Sequence, residues 1–77
     1  MIADEVRTRL EAALPGSQVE AQGDGSRMEI RIESSAFEGL SRVKRQQLVY
    51  GAIDELIKAG ELHAVTIVAS TPAADTD

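Results

Sequence analysis

The sequence predicts an α+β fold: a two-layer sandwich in the order α-β-β-α-β, with both helices on one face of a three-stranded mixed sheet. Three observations predict it. Two stretches repeat apolar residues every three or four positions, and these read as amphipathic helices. Met28 to Glu33 alternates apolar and charged residues one for one, the pattern of a strand with one wet face. The second of the two helical stretches separates two strands, so that pair is joined by a long crossover, which makes it parallel and right-handed.

Taken in order, Ile2, Val6, Leu10, Ala13 and Leu14 form the stripe of the first helix. Pro15-Gly16-Ser17 stops it. Gln18 to Ala21 is a short strand with Val19 and Ala21 on one side. Gly23-Asp24-Gly25-Ser26 reads as a hairpin turn, where glycine supplies the positive φ such turns need. Met28, Ile30 and Ile32 then face the core, opposite a ladder of Glu29, Arg31 and Glu33 that reads as solvation. Ser34 to Leu40 connects, with Phe37 plugging the end of the core. Ser41 is the expected N-cap of the second helix. That helix runs to about Ala59 on a stripe of Val49, Ala52, Ile53, Leu56 and Ile57. The stripe is poor over Val43–Gln47, where a break or kink is expected; Tyr50 lies beside it as a packing residue with its hydroxyl in reach of solvent. Gly60 falls where a glycine ends a helix. His63 to Ser70 is the last strand; neither of its sides is charged, which predicts a better-covered strand than the second. Thr71 to Asp77 reads as a frayed tail, so the domain is placed at residues 1–72 and a disordered tail at 73–77.

Size and composition narrow the function. With 77 residues there is one domain and a thin core. Small-molecule pockets run to roughly 300–1,000 Å³, which such a core can hardly spare. There is no cysteine, so disulfides, thiolate nucleophiles and thiolate metal sites are excluded. One histidine and no convincing carboxylate pair leave no nucleophile–base arrangement, and a non-enzyme is expected. No signal-peptide pattern and no apolar run of membrane-spanning length occur, which makes a cytoplasmic chain without membrane contact the expectation. The net charge of −5 repels nucleic acid, and two aromatics are too few for base stacking.

Three segments carry a family resemblance: the Gly23-Asp24-Gly25-Ser26 turn, the run from Phe37 to Tyr50 containing Ser41-Arg42-Val43-Lys44-Arg45-Gln46-Gln47, and the close Leu62-His63-Ala64-Val65-Thr66-Ile67. Together they resemble the BolA family, its IbaG branch in particular, over nearly the whole chain. The resemblance implies a fold like the class II KH domain. It also implies partnership with a monothiol glutaredoxin carrying a CGFS motif, and a part in iron–sulfur cluster trafficking or iron homeostasis. In such a pair a shared 2Fe-2S cluster is held by glutaredoxin and glutathione thiolates and by a histidine of the BolA partner. None is expected on this chain alone, as a monomer or weak homodimer. Stress phenotypes and DNA binding belong to some members of the family.

On that resemblance His63 is the expected iron ligand, a role imidazole suits. Arg27 stands where IbaG-like relatives carry a histidine just after the turn. Guanidinium has no free lone pair and cannot ligate iron. The second ligand is then a carboxylate such as Asp24, a solvent molecule, or a group on the partner, and Arg27 is either solvated or paired with a partner carboxylate. Arg42, Lys44 and Arg45 form the one basic cluster, in the first turn of a helix whose dipole disfavours cations by roughly 0.3–1 kcal/mol each. That placement points to a compensating use: docking to an acidic partner or, in the rival reading, a phosphate of nucleic acid. Three charges on an acidic chain favour the partner, and the absence of a GxxG loop argues against KH-type RNA binding. Relatives continue after Thr-Pro into a helix with a tryptophan, whereas Thr71-Pro72 here is followed by Ala73, Ala74 and Asp75.

Overall fold

The computed structural model describes residues 1–72, so the sequence reading of 73–77 lies outside the described residues. The elements are α1 (Ile2–Ala13), β1 (Gln18–Gly23), β2 (Arg27–Glu33), a 3-10 turn (Ser35–Phe37), α2 (Arg42–Lys58) and β3 (Ala64–Ser70). The sheet order is β1-β2-β3, with β1 antiparallel and β3 parallel to β2. This is the α+β layout that the residue pattern predicts.

The alternation in β2 decides which way the sheet faces. Met28, Ile30 and Ile32 are buried against the helices, while Glu29 and Arg31 stay exposed on the open face. Val6 and Leu10 of α1, Val49, Ile53 and Leu56 of α2, and Phe37, Leu62 and Ile67 complete the core. Burying one such side chain stabilises the fold by about 1.5–3 kcal/mol, so eleven of them carry a domain with no covalent staple. Across the top of the core Arg9 Nη1 donates to Glu55 Oε1 at 2.6 Å, tying α1 to α2 at the surface.

Three junctions position the functional ends. Buried Ser34 accepts at Oγ from the Ala36 N–H, accepts at its carbonyl from the Phe37 N–H, and donates its own N–H to the Ser70 carbonyl at 3.0 Å. That knot starts the 3-10 turn and swings Phe37 inward. Ser41 caps α2, its Oγ accepting from the Lys44 N–H at 3.2 Å. At the other end the N–H of Gly60 reaches the Ile57 carbonyl and that of Glu61 the Leu56 carbonyl, with Gly60 at φ +79°. This paired arrangement satisfies the last carbonyls and reverses the chain. It drops Leu62 into the core and delivers His63 to the sheet.

Four expectations need correction. α2 is unbroken from Arg42 to Lys58. The apolar stripe is poor near Val43 because that turn overhangs the end of the core, and backbone bonds and the Ser41 cap hold it without burial. β3 is the less covered strand: it lies at an edge, and only Ile67 is buried against three residues in β2. An uncharged strand reads as covered, but here its outer neighbour is simply missing among the described residues. His63 stands one residue before β3, and Thr71 is buried rather than frayed.

Candidate functional site

The turn after β1 is built by one carboxylate. Asp24 Oδ1 accepts from the Ser26 hydroxyl at 2.7 Å, the Ser26 N–H at 2.9 Å and the Arg27 N–H at 3.2 Å. The Ser26 hydroxyl above all, then those two N–H groups, hold the Asp24 carboxyl below the usual carboxylate range. Gly23 takes φ +118°, the conformation glycine is needed for. Gly25 is there for a different reason. A Cβ at Gly25 would lie 2.5 Å from the Glu61 carbonyl oxygen, so only glycine lets the turn pack on the chain leaving α2.

That close approach fixes His63. The His63 N–H donates to the Gly25 carbonyl at 2.9 Å, and the next residue, Ala64, is paired with Arg27. His63 and Arg27 are both exposed. The structure therefore brings together Asp24, Arg27 and His63 at one end of the sheet, an exposed imidazole backed by a rigid turn. Among the described residues no group of three or more His, Cys, Asp or Glu side chains is placed to hold a metal. The donor set fits one imidazole corner of a site completed by another molecule. It does not fit a metal or cluster held by this chain alone.

The basic cluster sits at the opposite end. Arg45 Nη1 reaches the Ala69 carbonyl, five residues along β3 from Ala64, or about 17 Å at the usual rise per strand residue. Arg45 is half-buried, and its Nε also donates to the Leu40 carbonyl at 3.0 Å. Its charge is thus met by backbone carbonyls within the domain, while Arg42 and Lys44 remain exposed. Arg27 and the three α2 cations, read together from the sequence as partner-binding, are not one surface. Sequence reasoning missed the Gly25–Glu61 contact and the inward turn of Arg45. A second glycine in a turn that needs one positive φ is the only signal of the first; the second has none.

A two-layer domain with an open sheet face, a glycine-framed turn and one exposed histidine beside it defines a small α+β module. The chain belongs to the BolA family: the family model for BolA-like protein matches residues 6–74. Acid stress protein IbaG of Escherichia coli K12 is 43% identical over 70 residues, spanning 91% of this chain and 83% of that protein. The BolA domain of SufE1 from Arabidopsis thaliana superposes with a TM-score of 0.85 at 33% identity, covering 95% of this chain and 94% of that one. BolA1 from the same plant gives 0.82 at 32% identity over 92% of each chain. No helix among the described residues is long and apolar enough to cross a membrane.

Proposed function

We propose that this chain is a non-catalytic, cytoplasmic adaptor that binds a monothiol CGFS glutaredoxin and takes part in iron–sulfur cluster trafficking or iron homeostasis, with His63 as its one ligand to the shared cluster. The observation that carries the reading is the placement of His63: the chain's only histidine, exposed, and held by backbone against the Asp24–Arg27 turn. With its backbone already tied to the turn, His63 has only its own side-chain torsions to order when its nitrogen meets a second molecule. The 2Fe-2S cluster is cargo here; thiolates of glutaredoxin and glutathione supply its other ligands.

Arg27 and Asp24 shape the contact without ligating. Arg27 remains a cation and pairs with a partner carboxylate beside the cluster. Asp24 Oδ1 is taken by three donors that build the turn, and its assigned role is structural. The fourth ligand then comes from the partner's side, which makes transfer out of the pair easier than with two ligands from this chain. Nucleic acid is the weaker reading because Arg45 turns inward, leaving two exposed α2 cations on a chain of net charge −5.

The test is titration of the protein into cluster-loaded CGFS glutaredoxin, followed by visible circular dichroism. The expected result is a changed cluster spectrum that His63→Ala abolishes while Arg27→Ala keeps it. A His63→Ala protein that gives the same coloured complex would remove the ligand assignment. No interaction at all would remove the adaptor reading.

A further inference from the structure

β3 is an edge strand, and the bonding at its end fixes which of its backbone groups are unused. The Ser34 N–H bonds to the Ser70 carbonyl, just past the Glu33–Ser70 pair, so Ser70, Val68, Thr66 and Ala64 turn their peptide groups toward β2. Val65, Ile67 and Ala69 therefore turn theirs outward, where the sheet has no further strand among the described residues. Two of those three carbonyls are touched by α2 side chains. The Tyr50 hydroxyl donates to Val65 and Arg45 Nη1 to Ala69, each at 3.5 Å. Bonds that long are weak, and the side chains act as placeholders.

The surroundings of this edge are unusual for the molecule. Val43 lies two turns before Tyr50 on the same side of α2, and they are 63% and 40% exposed; Val68, on the open face of β3, is 46% exposed. A groove of ≈ 390 Å³ lies at the Ala69 end of the edge, between Ile67, Val68 and Ala69 of β3 and Arg42, Arg45 and Gln46 of α2. The whole of Ala64–Ser70 carries no charge, no proline and no glycine, whereas natural edges are commonly guarded by one of these. Arg42 and Arg45 stand over the end near Ser70.

We propose that the outer edge of β3 is a docking strip for an extended, acidic segment of a partner protein, which adds to the sheet as a fourth strand. Its backbone pairs with Val65, Ile67 and Ala69. Side chains on its helix side pack on Val43 and Tyr50. Its carboxylates meet Arg42 and the Arg45 guanidinium, which line the groove. Charge complementarity selects this occupant: the strip is apolar along its length and basic at one end. A second copy of the chain fits poorly, because antiparallel pairing of two β3 edges would place two α2 helices over adjacent strands about 4.8 Å apart, when helix axes need 8–10 Å. The basic end of the strip lies at the end of the sheet away from His63, and a peptide that carries no cluster tests it apart from the cluster reading.

The experiment uses the full chain, labelled with nitrogen-15, and a capped peptide with a valine–threonine core flanked by paired glutamates. Binding is expected to shift the amides of Val65, Ile67 and Ala69 more than those of Thr66 and Val68. Flanking lysines in place of glutamates, or N-methylation of the peptide's edge-facing amides, is expected to weaken binding about tenfold, the worth of one or two net hydrogen bonds. An Arg42→Glu protein, changed only at an exposed position, is expected to lose the same amount with the acidic peptide and to recover with the lysine peptide. Equal binding of acidic and lysine peptides, an unaffected N-methyl peptide, or shifts confined to other strands would each overturn the proposal. So would a free protein that sediments as a dimer with its outer β3 amides already protected from exchange.

Discussion

Replacing Gly25 with alanine is the sharpest perturbation the turn permits. The new Cβ would stand 2.5 Å from the Glu61 carbonyl oxygen, and ordinary contact begins near 3.4 Å, so turn and chain must part by about 0.9 Å. Both sides are backbone, so no side-chain rotation relieves the clash. Opened by that amount, the 2.9 Å bond from the His63 N–H to the Gly25 carbonyl passes beyond hydrogen-bonding distance. The lost bond and the residual strain together cost about 2 kcal/mol. In a domain of this size that lowers the thermal midpoint by about 10 °C. Gly51→Ala is the control: it lies in α2 with open space around the added methyl, and the change should stabilise by about 1 kcal/mol. Thermal unfolding followed by circular dichroism reads both, and amide exchange at His63 reads the local opening. Unaltered His63 protection with an unshifted midpoint in Gly25→Ala would show that the turn does not hold the histidine.

Other perturbations reach the rest of the fold. Phe37→Ala empties a fully buried site and should cost about 3–5 kcal/mol, visible as a large drop in urea midpoint; a drop of under about 1 kcal/mol would mean the 3-10 turn collapses into the space. Ser41→Ala removes the acceptor of the Lys44 N–H and should cost about 0.5–2 kcal/mol by the same titration, since no acidic side chain in the first turn of α2 compensates. Asp24 has its carboxyl depressed in the folded state, so its contribution is fully present above the unfolded value and is lost as pH falls through the folded one. Asp24→Asn keeps an acceptor oxygen but should flatten that part of the acid-unfolding curve; an unchanged acid limb would show that the charge is not used.

The elements were legible where burial writes a period into the residues. β2 alternates strictly because one of its faces is wet, and α1 keeps its stripe because α1 lies flat on the sheet. β3 misled for the converse reason. Its residues are small and uncharged on both sides, which composition cannot tell from burial, and only the strand order reveals an edge. The candidate site was legible as residues but not as geometry. His63 and the turn after β1 stand out in the sequence, yet that they touch follows from the parallel pairing across α2. That the α2 cations lie at the far end follows from the same pairing. Arg45 shows the limit most plainly: a cation at a helix start suggests an external partner, and backbone carbonyls of Leu40 and Ala69 receive it instead.

The bond between Gly25 and His63 also has a kinetic meaning. The β1–β2 hairpin needs only its own turn and closes on the microsecond scale, as α2 does by itself. The histidine cannot take its place until the full crossover has wound and β3 has paired with β2, a non-local closure that is intrinsically slow. The end of the molecule that carries the imidazole therefore depends on a contact between residues 38 positions apart in the chain, closed only across the crossover. On an emerging chain, everything from the turn through α2 precedes it in order of synthesis, so the contact between Gly25 and His63 forms only after β3 has been made.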